Sequence, residues 1–289
     1  MPAGTLYVVA TPIGNLSDIS ARALEVLGQV SVIACEDTRT SRHLLSHYGI
    51  KSRTLALHEH NERAVSARLV DQLNEGRDIA LISDAGTPAV SDPGARLVAA
   101  AHAAGARVLP VPGPSAALAA WSAAGFTVDR FVFAGFLPSA GSARRKALAL
   151  QSDVECTIFY EAPHRVLETI EDLLRRFGPV REIVLCRELT KKFEETARMP
   201  LAEAPAWLGA GAHRQQGEFV LVLGPGAAAP IPGDKDVENI LAALIAELPP
   251  SDAARIAARI TGAPRKQLYA RALDLARAAK GAKDVNGAK

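Results

Sequence analysis

The chain has 289 residues, of which 48% are hydrophobic and 22% charged, and its formal net charge is +2. These values exclude a disordered chain or a disulfide-stapled miniprotein, and leave room for two compact domains and a small appendage. From Ser251 to the end, nine Lys/Arg face three acids (+6), while the preceding 250 residues carry 24 Lys/Arg against 28 acids (−4), which points to a polyanionic partner or to a solvated helical surface.

The first half alternates strand and helix. Apolar runs predict strands at Leu6–Ala10, Val32–Cys35, Thr54–Leu57, Ile79–Ile82, Val108–Val111 and Phe131–Ala134. Amphipathic segments between them predict helices at Ile19–Val30, Ser41–Tyr48, Ala64–Leu73, Ala95–Ala104 and Ala116–Ala124. This rhythm calls for a mainly parallel sheet covered by helices on both faces. A domain of residues 1–137 is followed by a second α/β unit, 138–224, opened by the small polar stretch Ser139–Ser142. In it helices are predicted at Ala143–Leu150, Val166–Phe177 and Leu201–Leu208, and strands at Thr157–Tyr160, Ile183–Cys186 and Phe219–Leu223. Gly224–Gly233 reads as a linker rich in Pro, Gly and Ala. The tail, 234–289, is all helix: Val237–Leu248, Asp252–Ile260 with Ser251 as N-cap, and Arg265–Ala279 after the turn Thr261-Gly262-Ala263. Two short helices around a Gly-containing turn, the second one basic, have the pattern of a helix-turn-helix.

Three of the strands run into Gly/Pro-rich turns that contain no lysine or arginine: Thr11–Leu16, Ser83–Gly94 and Pro112–Ala116. Such turns bring bare backbone close to a ligand at the carboxyl edge of an α/β sheet. A phosphate cradle would add a cation. These loops instead carry Asp84 and Asp92, which suits a phosphate-free ligand with amines and hydroxyls. Other strands end in polar clusters: Glu36-Asp37-Thr38-Arg39, His58-Glu59-His60-Asn61, Glu161-Ala162-Pro163-His164-Arg165 and Arg187–Lys192. On a parallel sheet all would share one edge, where they either serve a ligand or cap helices.

Cys35, Cys156 and Cys186 lie in apolar runs without metal or redox spacing and are expected to be buried thiols. His58 and His60 with Glu59 or Glu62 lack a third ligand at recognisable spacing, so no metal is expected. Gly209-Ala210-Gly211 lacks the third glycine of a dinucleotide fingerprint and follows a helix. No apolar run reaches the roughly 18 residues of a membrane helix. The N-terminus enters a strand without a cleavable apolar leader, so the expected compartment is the cytoplasm.

Seven motifs then appear in order: ATPIGNLSDIS at Ala10–Ser20, ACEDTRTSRHLL at Ala34–Leu45, SDAGTPAVSDPG at Ser83–Gly94, VPGPSA at Val111–Ala116, FAGFLP at Phe133–Pro138, YEAPHR at Tyr160–Arg165 and GEFVLVLG at Gly217–Gly224. Together they resemble the ribosomal small subunit methyltransferase I group of the tetrapyrrole-methylase-like (class III) S-adenosylmethionine-dependent methyltransferases. The resemblance covers nearly the whole chain. It implies a two-domain tetrapyrrole-methylase-like α/β fold with the cofactor in the cleft, a homodimer, and 2′-O-methylation of a cytidine ribose in the decoding region of 16S ribosomal RNA within the small subunit.

Carried onto this sequence, the resemblance draws the S-adenosylmethionine site from Pro12, Asp84, Ala85, Gly86 and Val90, from Ser115 and Ala116 at a helix N-terminus, and from Tyr160 and Phe219 closing over the adenine. The ribose hydroxyl must lose a proton, and the candidates to assist are Asp37, Glu36, His58, Glu59 and Asp84, with Arg39 beside them to hold a phosphate. Arg165, Lys191, Arg255, Arg259, Arg265 and Lys266 are candidates for RNA phosphates. Two alternatives remain open: a methylase-fold enzyme acting on a small molecule or protein residue, and a non-catalytic ribosome-binding relative.

Overall fold

The computed structural model describes residues 3–226 and 234–286. Strands β1 (Thr5–Val9), β2 (Val32–Cys35), β3 (Arg53–Ala56), β4 (Ile79–Ile82) and β5 (Arg107–Val111) form a wholly parallel sheet in the order β3-β2-β4-β1-β5. Successive residues of each strand serve opposite faces, as the two-residue repeat requires. Val32, Ala34, Ile79 and Leu81 pack with Val65, Leu69, Leu97 and Ala101 of α3 (Glu62–Asn74) and α4 (Ala95–Ala103). Ile33, Cys35, Ala80 and Ile82 pack with Ala23, Leu27, Leu44 and Leu45 of α1 (Ala21–Gln29) and α2 (Thr38–His47). A fully buried Leu or Ile contributes about 1.5–3 kcal/mol, so these near-continuous apolar strands specify a sheet covered on both sides.

Helix starts follow the caps. The Ser20 hydroxyl accepts from the Ala23 amide, and the Asp37 carboxylate accepts from the Arg39 amide, so α2 begins three residues earlier than the apolar pattern suggests. The chain leaves β1 towards β2 and leaves β4 towards β5. These neighbouring strands therefore send their loops to opposite faces, and a crevice opens above their carboxyl ends.

The second sheet is mixed, in the order β6-β7-β10-β8-β9. It comprises β6 (Phe131–Phe136), β7 (Cys156–Glu161), β8 (Glu182–Arg187), β9 (Glu195–Pro200) and β10 (Phe219–Leu223). Only β6 and β7 pair in parallel; β10 runs antiparallel to β7 and β8, and β9 antiparallel to β8. One face packs on α6 (Gly141–Ala149), α7 (Val166–Phe177) and α8 (Ala204–Gly209). The other rests on α5 (Ala116–Ala124), whose Ala117, Ala120 and Ala124 meet Ile158, Val184, Val220 and Val222. An alanine-rich helix, apolar on several sides, lets a sheet approach closely.

These facts correct two expectations and add one strand. The polar clusters do not share one parallel sheet, because those at Glu161 and Arg187 stand on the mixed one. They still face one edge, since β6, β7 and β8 point the same way and β10 begins there. β6 belongs to the second sheet, so the change of sheet precedes Phe131 rather than following residue 137. The polar strand β9 was not foreseen: it is an edge strand whose Arg198 and Glu195 pair with Glu182 and Arg214, which removes the apolar signal.

The chain divides into two compact units, Met1–Gly226 and Ala227–Lys289. Gly224 is bonded to Glu182 and Arg181, and so belongs to the first. The rest of the expected linker, 227–233, lies outside the described residues. The second unit holds α9 (Asp234–Glu247), α10 (Pro250–Thr261) and α11 (Arg265–Asn286) around Val237, Leu241, Ala253, Ala257, Leu268 and Ala272. Its α10 starts at Pro250 rather than behind a Ser251 cap, because proline is tolerated in a first turn.

Candidate active site

The carboxyl edges of the two sheets face each other across a cleft of about 330 Å³. The loop after β1 supplies Ile13, the loop after β4 supplies Ala85, Gly86, Thr87, Val90, Ser91 and Asp92, and the start of α5 supplies Ser115 and Ala116. The second sheet contributes Phe136, Tyr160, Glu161, Leu189 and Phe219 among others. Among the described residues no lysine or arginine lines it. An apolar wall with carboxylates and without cations fits a cationic, phosphate-free ligand such as S-adenosylmethionine, and disfavours a nucleotide phosphate.

Backbone geometry holds the walls. Thr11 and Gly86 exchange amide–carbonyl bonds of 2.8 and 3.1 Å, which ties the loop after β1 to the loop after β4. Gly86 has φ +82°, while a Cβ there would meet Ile13 at 3.4 Å and Pro114 at 3.9 Å, ordinary contacts. Conformation, rather than crowding by the protein, therefore demands glycine. At Gly14 the demand is space: a Cβ would lie 2.5 Å from Lys191 Cγ and 3.1 Å from the Leu189 carbonyl oxygen. The loop after β8 is thus clasped directly onto the loop after β1. Among the described residues four non-glycines adopt left-handed backbone, Ala89, Ser91, Glu188 and Thr190 (φ between +52° and +66°), and all lie in the loops after β4 and β8. Such conformations persist where surrounding structure over-determines them, as at binding sites. The Tyr160 hydroxyl accepts from the Ala117 amide at 3.2 Å and joins the second sheet to the start of α5, while burial pushes its pKa up.

Seven of the nine cofactor-site candidates line the cleft: Ala85, Gly86, Val90, Ser115, Ala116, Tyr160 and Phe219. Pro12 is buried one residue before Ile13. The Asp84 carboxylate turns away to accept from the Asp37 amide at 3.0 Å, fastening two edge loops together.

None of the five proton-transfer candidates lines the cleft. Asp37 caps α2 and pairs with Arg39 at 2.7 Å, and those bonds hold its carboxyl down to about 2, a poor proton acceptor. Arg39 is 85% exposed. Asn61 accepts from the His58 amide and donates to the Ala56 carbonyl, so the histidine cluster is a local turn, with Glu59 exposed. Glu62 accepts from the Gly94 and Arg96 amides and anchors the end of the β4 loop. Glu36 has its pKa raised by burial, with the Asp92 and Asp84 carboxylates adding to it. The acid that the loop after β4 places in the cleft is Asp92, alongside Glu161 and Glu218; the sequence marks it only as a loop acid, and its pKa is raised by burial, with an opposing hydrogen bond from Ser83 and a further rise from Asp84.

Two RNA candidates are committed elsewhere. Arg165 is 17% exposed; it pairs with the fully buried Glu161 at 2.9 Å and donates to the Leu137 carbonyl. Lys191 bonds Glu188 and Glu218 at 2.9 Å each. Arg255, Arg259, Arg265 and Lys266 are exposed on the second unit, Arg255 paired with Asp252. Cys35, Cys156 and Cys186 are buried and free, and burial pushes the Cys186 thiol to about 11. Among the described residues no group of three or more His, Cys, Asp or Glu could hold a metal ion, and no helix is long and apolar enough to cross a membrane.

Known proteins agree with this architecture. Residues 5–205 match the tetrapyrrole (corrin/porphyrin) methylases, and residues 231–276 match the RsmI C-terminal HTH domain. Among solved structures, a uroporphyrin-III-C-methyltransferase from Thermus thermophilus shares the fold with a TM-score of 0.54 and 24% identity over 76% of this chain and 94% of that one. A diphthine synthase does so at 0.57 and 14%, over 76% and 90%. Ribosomal RNA small subunit methyltransferase I of Pseudomonas aeruginosa is 51% identical over 94% of this chain and 98% of its own length. The protein of that name from Escherichia coli O157:H7 is 47% identical, over 94% and 95%. With both family models matched in order and identity near one half along the whole length of these relatives, the chain belongs to the tetrapyrrole methylase family and, within it, to the ribosomal RNA small subunit methyltransferase I group.

Proposed function

We propose that this chain methylates small-subunit ribosomal RNA at a ribose 2′-hydroxyl, that of cytidine 1402 in the decoding region, with S-adenosylmethionine as methyl donor. The observation that carries the reading is the cleft, walled by three edge loops of the parallel sheet and the facing edge of the second sheet, with carboxylates and no cation. Bound there, the cofactor supplies a methyl group on a sulfonium.

Gly86, Ala85 and Val90 form one wall for it, Ser115 and Ala116 another, and Tyr160 with Phe219 the apolar face against its adenine. Methyl transfer is an in-line displacement, so most of the acceleration comes from orienting the hydroxyl in a dry cleft. Asp92 takes the hydroxyl proton, because it is the carboxylate of the β4 loop that lines the cleft and burial raises its affinity for a proton. Glu161 keeps the loop after β7 in place through Arg165, Thr169 and the Ala162 amide.

The helical unit contributes Arg255, Arg259, Arg265 and Lys266 to RNA phosphates, the protein works as a homodimer, and its place of work is the cytoplasm. A small-molecule methylase has no use for a basic helical unit. The test is transfer of labelled methyl to small ribosomal subunits followed by identification of the nucleoside. A 2′-O-methylcytidine product supports the reading, and label on a base or on a protein overturns it.

A further inference from the structure

Helix α2 carries a surface that the cleft chemistry does not use. Arg39, Arg42, His43, Ser46 and His47 recur at the three- and four-residue spacing of one helical stripe, while Ser41, Leu44 and Leu45 on the opposite side are buried against the sheet. All five are exposed and line a shallow groove of about 520 Å³. The stripe offers two guanidiniums, two imidazoles and a hydroxyl, with no carboxylate among the five. The nearest acid in sequence, Asp37, caps the helix and pairs with Arg39. From Arg39 to His47 the stripe runs about 12 Å at 1.5 Å per residue, enough for more than one phosphate.

Its position matters as much as its charge. The helix begins where the Asp37 amide bonds the Asp84 carboxylate, and the next residue of that loop, Ala85, lines the cleft. A strand crossing this stripe therefore arrives at the cleft mouth. The planar fork of a guanidinium matches the two non-bridging oxygens of a phosphodiester, and several donors in a row suit a backbone rather than one compact anion.

We propose that this face of α2 docks the phosphodiester backbone of the RNA strand whose nucleotide enters the cleft, an inference that rests on the RNA methyltransferase reading above.

The test compares Arg42→Ala, Arg42→Glu and Arg42→Ala/His47→Ala with wild type. Arg68→Ala on α3, which covers the other side of the sheet, controls for loss of charge. Binding of small subunits and of protein-free small-subunit RNA is measured across a salt series, with S-adenosylmethionine affinity and melting temperature alongside. Arg42→Ala is expected to lower the salt slope by about 0.7–0.9 and RNA affinity by roughly three- to ten-fold. Arg42→Glu should lower both further, and cofactor affinity and melting should stay unchanged. Wild-type slope and affinity in the double variant overturn the proposal. So does a loss confined to intact subunits, which would assign the stripe to an acidic ribosomal protein. If wild type transfers no methyl to either substrate yet RNA binding still depends on Arg42, the docking surface stands and the reading of the cleft falls. If methyl transfer proceeds and Arg42 is dispensable for binding, the reverse holds.

Discussion

Replacing Arg165 by alanine separates a structural role from an RNA-binding one. Glu161 is fully buried and ion-paired with Arg165 at 2.9 Å, and its carboxylate accepts from Arg165 Nη2 at 3.2 Å, the Thr169 hydroxyl at 2.6 Å and the Ala162 amide at 2.8 Å. Truncation at Arg165 leaves that charge buried with two neutral donors. Breaking a buried pair costs about 3–5 kcal/mol, and the surviving bonds place this case near 3. At roughly 2–4 °C per kcal/mol for a unit of this size, melting should fall by about 6–12 °C. Removing both charges with Glu161→Gln/Arg165→Met should recover much of the loss, because the desolvated carboxylate is gone. Thermal and urea unfolding are read together with the salt dependence of RNA binding at a temperature where the variant is folded. Melting within about 2 °C of wild type, accompanied by a salt slope reduced by about 0.7–0.9, would refute the reasoning and return Arg165 to the RNA.

Asp92→Asn should lower methyl transfer while raising stability at neutral pH. Burial raises the folded pKa of Asp92, so wild type loses stability as pH rises through that value. The variant's advantage is then absent at pH below about 4 and present at pH 7, and equal unfolding curves at both pH values would contradict it. Gly86→Val should lose both cofactor binding and stability, since φ +82° costs an ordinary residue about 1–2 kcal/mol and a β-branched one more; unchanged melting in that variant would show that the turn accommodates a side chain. Arg265→Ala/Lys266→Ala should reduce the salt slope of RNA binding and leave S-adenosylmethionine affinity at the wild-type value by calorimetry. A slope unchanged in that variant would make the second unit a packing element.

Strand placement in the parallel half was legible in the sequence, because strands buried on both faces must be apolar throughout; the apolar pattern found the helices but not their starts, which the caps Ser20 and Asp37 set. The glycine- and proline-rich turns were legible for the same reason: a backbone that must approach a ligand shows its need in residue type. What tertiary structure alone decided is direction and commitment. No local pattern says that Asp84 turns to the Asp37 amide while Asp92 lines the cleft, or that Arg165 and Lys191 are held by carboxylates 4, 3 and 27 residues away. Nor does any say that α5 carries the second sheet, or that the polar edge strand β9 is bonded at all. A side chain's type fixes which bonds it can make, and only the folded neighbourhood fixes which of them it does make.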